Sequence, residues 1–268
     1  MALNETNETL DWETFEQRLK KLRVDYGPSE MLFRGQSNSE WQLTTTLERN
    51  WAGRVRFVDY TRLICANIGP AVKTFADVEV PEYSPSTDVM FDRELLSLSK
   101  YPPDPLYRYM VHLRHFGFPS PLLDWSRSPF VAAFFAFKDD LPNGAEKRSI
   151  YVYSKMRGAL GERTIHQIGP YVQTHERHFR QQCDYTLCGR RDETYGWCFE
   201  SHQGVVDDLR PGQDYLGKFD LLSSEREKVL RLLNDYNLNA FSLFGSQESL
   251  LETMWFREYV LKKDTWRG

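Results

Sequence analysis

Apolar residues recur at Trp12, Phe15, Leu19 and Leu22 with charges between them. That spacing predicts an amphipathic helix over 11–24, ended by Gly27-Pro28. Met31-Leu32-Phe33-Arg34-Gly35-Gln36 reads as a short strand closing on a glycine. A helical pattern over 54–74 is interrupted at Gly69-Pro70. Two prolines and two serines over 81–87 make a loop; helix resumes over 92–99, and Asp104-Pro105 opens another helix running to His115.

Gly117 to Pro121 is a rigid turn leading into Leu122-Leu123-Asp124-Trp125, a buried strand. Ser128 and Pro129 form an N-cap and first-turn pair for a helix over 130–137. Its residues, Phe-Val-Ala-Ala-Phe-Phe-Ala-Phe, are apolar on every side and belong in a core. Further strands are expected at 149–154, 185–188, 197–200 and 215–221. Ser224-x-x-Glu227 has the form of a capping box. Ser242 to Glu248 reads as a strand leading into a last helix, capped by Ser246, with Leu250, Leu251, Met254 and Trp255. No repeat, low-complexity tract or linker interrupts the pattern. The fold class is α+β, one mixed domain: an N-terminal helical segment over 1–30 and the main α+β body over 31–268.

The composition fits a body of that kind. The chain has 268 residues, 41% hydrophobic and 27% charged, enough to bury a core without disulfides or a structural metal. A net charge of −4 argues against a protein whose main business is coating nucleic acid. Cys65, Cys183, Cys188 and Cys198 contain no C-x2-C pair, so they read as buried reduced thiols and no metal is expected. His112 with His115, and His175 with His178, are spaced to share a helix face but lack partner ligands at diagnostic spacing. The polar start of the chain and the absence of an 18-residue apolar run predict a cytoplasmic protein with no membrane partner.

Familiar nucleotide and hydrolase motifs are absent. Three segments nevertheless concentrate chemistry. Arg34, between apolar residues and a glycine, is costly to desolvate without an anion or an acid. It is either a phosphate clamp, with Gly35 letting a ligand approach the backbone, or a strand-end arginine paired with an internal acid. In the second segment, Arg114-His115-Phe116-Gly117 through Ser126-Arg127-Ser128, the polar groups His115, Asp124, Ser126 and Ser128 stand among Phe116, Leu122, Leu123, Trp125 and Phe130. Ser126 and Ser128 precede a helix N-terminus, an anion-favouring position; Ser128 also reads as a plain N-cap, and Asp124 as the acid for Arg34. In the third, Glu248 falls in a first helical turn, where it either complements the dipole or serves catalysis.

These segments carry a resemblance. Leu32-Phe33-Arg34-Gly35-Gln36, with Trp41-x-Leu43 and Leu47-x-Arg49, resembles the opening motif of the FRG domain family. The run from His115-Phe116-Gly117-Phe118-Pro119 through Leu122-Leu123-Asp124-Trp125-Ser126 to Pro129, Ala132 and Phe135-Ala136 is similar to that family's central block. Arg177 with Gln181-Gln182 is similar to its R-x-x-x-Q-x-G segment, Cys183 standing for the glycine. The region 239–250 resembles its S-L-F-P-x-L segment, Gly245 standing for the proline.

More distantly, an aromatic-Arg-Gly strand, a Ser-x-Ser before an apolar helix and a late glutamate resemble the R-S-E group of ADP-ribosyltransferases. That resemblance implies a split β-sheet core and NAD as substrate. Arg34, Ser126 and Glu248 would be the catalytic set, and Arg34, Gly35, Gln36, His115, Asp124, Trp125 and Ser128 would line the cofactor site. It also implies an effector of the toxin or phage-defence kind, with an acceptor macromolecule that the residues do not name. The alternative is a non-catalytic nucleotide- or nucleic-acid-binding module. Its support is the set Arg177, Arg180, Arg190 and Arg191 with Phe179, Tyr185, His175 and His178, diluted by Glu176, Asp184 and Asp192.

Overall fold

The computed structural model describes residues 4–5, 8–26, 31–84, 98–140, 145–155, 165–169, 172, 176–203 and 214–262. Its strands are β1 (Asn4–Glu5), β2 (Met31–Gln36), β3 (Leu123–Ser126), β4 (Lys147–Ser154), β5 (Ile165–Gln167), β6 (Cys183–Asp192), β7 (Gly196–Phe199) and β8 (Tyr215–Leu222). They run side by side in the order β1-β8-β4-β2-β3-β6-β5, with β7 on β6. Every pairing is antiparallel except β1 with β8.

The helices are α1 (Trp12–Tyr26), α2 (Thr46–Asn50), α3 (Phe57–Arg62), α4 (Gly69–Phe75), α5 (Asp104–His115), α6 (Pro129–Phe137), α7 (Glu176–Arg180), α8 (Arg226–Asp235), α9 (Ala240–Phe244) and α10 (Gln247–Trp255). Side chains alternate along the strands, so the two faces of the sheet receive different cover. The apolar stripe of α1 packs with α6, α8, Met31 and Phe33 of β2, and residues of β4 and β8. The N-terminal helix therefore shares a core with the main body. Leu32 points the other way, into a cluster with Leu123, Trp125, Tyr151 and Tyr153. A third cluster packs α3 and α5 on Cys183, Tyr185 and Leu187 of β6. The α+β class is as the pattern predicts.

Strand and helix positions follow the pattern closely in α5, in α6 and in β2. Ser128 Oγ accepts the Val131 N–H, and Pro129 fills the first turn of α6. Elsewhere the structure corrects the expectation. The helix expected over 54–74 begins only at Phe57, because Arg56 makes a bridge to Cys198; a π turn over Leu63–Asn67 joins α3 to α4. Ser224 and Glu227 form no capping box: a 3-10 turn over Ser223–Glu225 precedes α8, whose N-cap position, Glu225, has no side-chain cap bond. Glu225 instead accepts the Trp12 N–H at 3.3 Å and Lys228 Nζ at 3.1 Å.

The segment 242–248 is not a strand. Asn239 and Ser242 close a reciprocal capping box on α9, Gly245 ends it in the left-handed region at φ 68°, and Ser246 caps α10 with Ser249. Of the helix expected over 92–99, residues 92–97 lie outside the described residues; Leu98–Lys100 is a single 3-10 turn. Of the loop over 81–87, residues 85–87 also lie outside them.

Candidate functional site: an arginine-centred cleft at the parting of two strands

Strand β2 pairs with β4 along six residues and β3 pairs with β6 along four. Between β2 and β3 themselves the register holds one pair, Phe33 with Ser126. Where the two strands part, a cleft of about 560 Å³ opens, within the range of small-molecule sites.

Arg34 reaches into this parting. Its Nη1 donates to the Asp124 carbonyl oxygen at 2.8 Å and to Asp124 Oδ1 at 2.7 Å. A strand carbonyl on the side facing β2 thus receives a guanidinium donor. Arg114 Nη2, from the last turn of α5, donates to the same Oδ1. Burial works to raise the Asp124 carboxyl, but Arg114 and Arg34 outweigh it and hold the group well below the usual carboxylate range. The pair expected from sequence forms, with a second arginine added. The other edge of the guanidinium is unpartnered: Arg34 Nε is buried with no acceptor, and among the described residues the hydrogen bonds of this side chain run through Nη1.

Gly35, Gln36, Trp125 and Ser126 line the cleft with Arg34 and Asp124. Gly35 has a packing reason beside the ligand approach expected of it. A Cβ there would overlap the Ala132 carbonyl oxygen and lie 2.6 Å from Ala136 N, so the glycine lets α6 lie directly on β2. Ser126 is committed on both sides: its hydroxyl donates to the Gln181 carbonyl at 2.8 Å and accepts from Ser128 N at 3.1 Å. The Trp125 indole N–H donates to Thr186 Oγ1 at 2.8 Å.

Three expected site residues stand apart from the cleft lining. Ser128 caps α6. His115 lies beside Tyr185, Nε2 to hydroxyl 3.3 Å, with the His178 ring 6.4 Å from its own. Glu248 is exposed in the first turn of α10; backbone bonding at the helix start and the Ser246 hydroxyl lower its carboxyl, with a smaller contribution from Arg177. The arginine set offered for nucleic acid is divided as well. Arg177 and Arg180 lie on α7 and Arg190 and Arg191 near the far end of β6, a ten-residue strand spanning about 30 Å.

Several residues of the site were given no site role from sequence. Arg114 stands next to His115 in the central block, yet only the packing of α5 brings it to Asp124. Gln181 and Cys183 line the cleft, and the R-x-x-x-Q-x-G likeness was the available signal for them. Trp41 is half exposed at the cleft, facing a lining that includes Phe135. Behind Trp125, Thr186 Oγ1 lies 2.8 Å from His202 Nε2, whose ring is buried. The Thr186 hydroxyl thus links the Trp125 indole to the His202 imidazole. Burial first, then Arg34 and Arg114, push the His202 pKa down to about 3.

Among the cleft carboxylates, Asp124 is held by two arginines and Asp139 by Lys138 at 2.6 Å. Glu40, exposed at the cleft, has no cation partner among the described residues. Among the described residues no three His, Cys, Asp or Glu side chains are grouped to hold a metal ion. The four cysteines are free and buried, and burial raises each thiol. No helix among the described residues is long and apolar enough to cross a membrane.

Fold and site together define a mixed α+β protein with an arginine–aspartate–arginine cluster at the parting of its central strands. Residues 29–144 match the family model described as FRG domain, and the chain carries an FRG domain over that span. The match takes in β2, β3 and the helices from α2 to α6, hence Arg34, Arg114 and Asp124; β4 to β8 lie beyond it. No curated protein and no solved structure matches the chain.

Proposed function

We propose that the cleft between β2 and β3 binds a nucleotide, NAD or a close relative, in an ADP-ribosyltransferase-like manner, with Arg34 as the phosphate clamp. The observation carrying this reading is the state of the Arg34 guanidinium. Asp124 fixes it through Nη1 alone, leaving Nε and Nη2, the planar fork that suits a phosphate oxyanion, without an acceptor among the described residues. Trp41 and Phe135 supply aromatic surface for a ring in the same cleft.

Transfer chemistry would further need a carboxylate beside the reacting sugar. Glu248 is not among the lining residues, which favours the second reading, a nucleotide-binding module that performs no transfer. Within the transferase reading Glu40, unpaired at the cleft, is the better-placed acid. A role as a toxin or phage-defence effector belongs to the same proposal.

The test is calorimetric titration of NAD into the wild type and Arg34→Lys, with melting curves for both. Lysine keeps the charge and loses the fork, so affinity should fall at least about tenfold while the fold survives. Equal affinity in the two proteins, or no binding to the wild type, would overturn the reading. Nicotinamide release from NAD by the wild type separates transferase from binding module.

A further inference from the structure

Arg34 and Gln36 are two residues apart on β2, so their side chains leave the same face of the strand about 7 Å apart. Gln36 is only 7% exposed and lines the cleft. Its amide has one orientation: Nε2 donates at 3.3 Å to the Gln42 carbonyl oxygen, an atom that can only accept. Gln36 Oε1 is therefore turned away from Gln42, and it is buried without any donor. One strand face thus carries an unpartnered guanidinium edge and, a short step along, an unpartnered amide oxygen.

From this juxtaposition we infer that Gln36 is a specificity-determining residue whose Oε1 accepts a hydrogen bond from a ribose hydroxyl of the nucleotide held by Arg34. The inference rests on the nucleotide reading above. A ligand with only an oxyanion satisfies Arg34 and leaves the Gln36 oxygen desolvated and unpaired. A 5′-ribonucleotide satisfies both, because its hydroxyl-bearing sugar is bonded directly to the phosphate. Sites built to hydrogen-bond a hydroxyl reject analogues lacking it far more strongly than apolar pockets reject a size change. The cleft should therefore distinguish ribonucleotides from deoxy forms.

The experiment is titration of ADP and of 2′,3′-dideoxy-ADP into the wild type, Gln36→Leu and Gln36→Glu, with NAD as a third ligand. The wild type should prefer ADP by about ten- to hundredfold, the equivalent of leaving one buried acceptor unpaired. Gln36→Leu should bind the two alike, and Gln36→Glu, which keeps an acceptor, should retain the preference at weaker overall affinity. The wild-type comparison stands even where a variant folds poorly. Equal wild-type affinity for ADP and its dideoxy analogue would overturn the role of Gln36 and leave the nucleotide reading intact. Failure of the wild type to bind ADP, the analogue or NAD would overturn both.

Discussion

Arg34 Nη1 bonds Asp124 twice, through the main-chain carbonyl at 2.8 Å and the side-chain Oδ1 at 2.7 Å, where the ladder between their strands stops after one pair. The contact therefore ties two strands as well as two charges. Arg34 and Arg114 are 15% and 14% exposed at this carboxylate, which is itself 43% exposed. Asp124→Ala would leave two largely buried guanidinium groups facing each other. The expected loss is about 3 kcal/mol, the low end for breaking a buried ion pair, because water reaches the acid. Chemical denaturation of wild type, Asp124→Ala and Arg34→Ala, read with the double variant, measures the coupling. Additive losses would show that the pair contributes nothing of its own.

Acid stability should fall in two windows. His202 has its folded pKa lowered to about 3 from 6.5. Between those values the unfolded chain takes up a proton that the folded one refuses, so stability declines as pH falls from 6.5 towards 3. The Asp124 carboxyl is also depressed in the folded state, so its stabilisation is present above its ordinary value, near 3.8, and is lost only as pH falls below that. Between pH 6.5 and 5 burial of His166, whose folded pKa is lowered to about 4, and of His112 adds to the same decline, so the His202 share is read by difference from a variant. His202→Gln should flatten that limb, and an unchanged slope would assign it to other groups.

Gly35→Ala should be among the most destabilising single changes in β2. Its Cβ would meet the backbone of α6 at Ala132 and Ala136, and backbone cannot swing aside as a side chain can. Overpacking of this kind costs about 3 kcal/mol, a fall in melting temperature on the order of 10 °C for a chain of this size. A melting curve within a degree or two of wild type would show that α6 lifts from the strand at little cost.

Glu248→Gln should leave NAD affinity, and any NAD turnover, at the wild-type level, because the carboxylate is exposed at a helix start and outside the cleft lining. Within the transferase reading Glu40→Gln should instead abolish nicotinamide release while binding persists. Loss of turnover in Glu248→Gln with an intact fold would return that residue to the site.

What the sequence by itself determined are the features written within a turn or two of chain. The stripe of Trp12, Phe15, Leu19 and Leu22 specifies α1, Asp104-Pro105 opens α5, and Ser128-Pro129 starts α6, because caps and apolar spacing act over three or four residues. The strand reading of 242–248 failed although its signal was local. Leu243-Phe244 is too short an apolar run to choose a period, and the Asn239–Ser242 box that decides for helix lies just upstream. Ser224 has no capping role because it lies inside the 3-10 turn over Ser223–Glu225, one residue before the N-cap position.

The acid for Arg34 could be named from sequence, because a buried guanidinium needs one and Asp124 stands in an equally apolar strand. That Arg114 shares it, that Gly35 serves α6, and that Glu248 lies outside the cleft were decided only by tertiary structure. Those outcomes depend on how α5, α6 and α10 pack on the sheet. Packing sums many contacts between residues far apart in sequence, and no one of them leaves a mark on its neighbours in the chain.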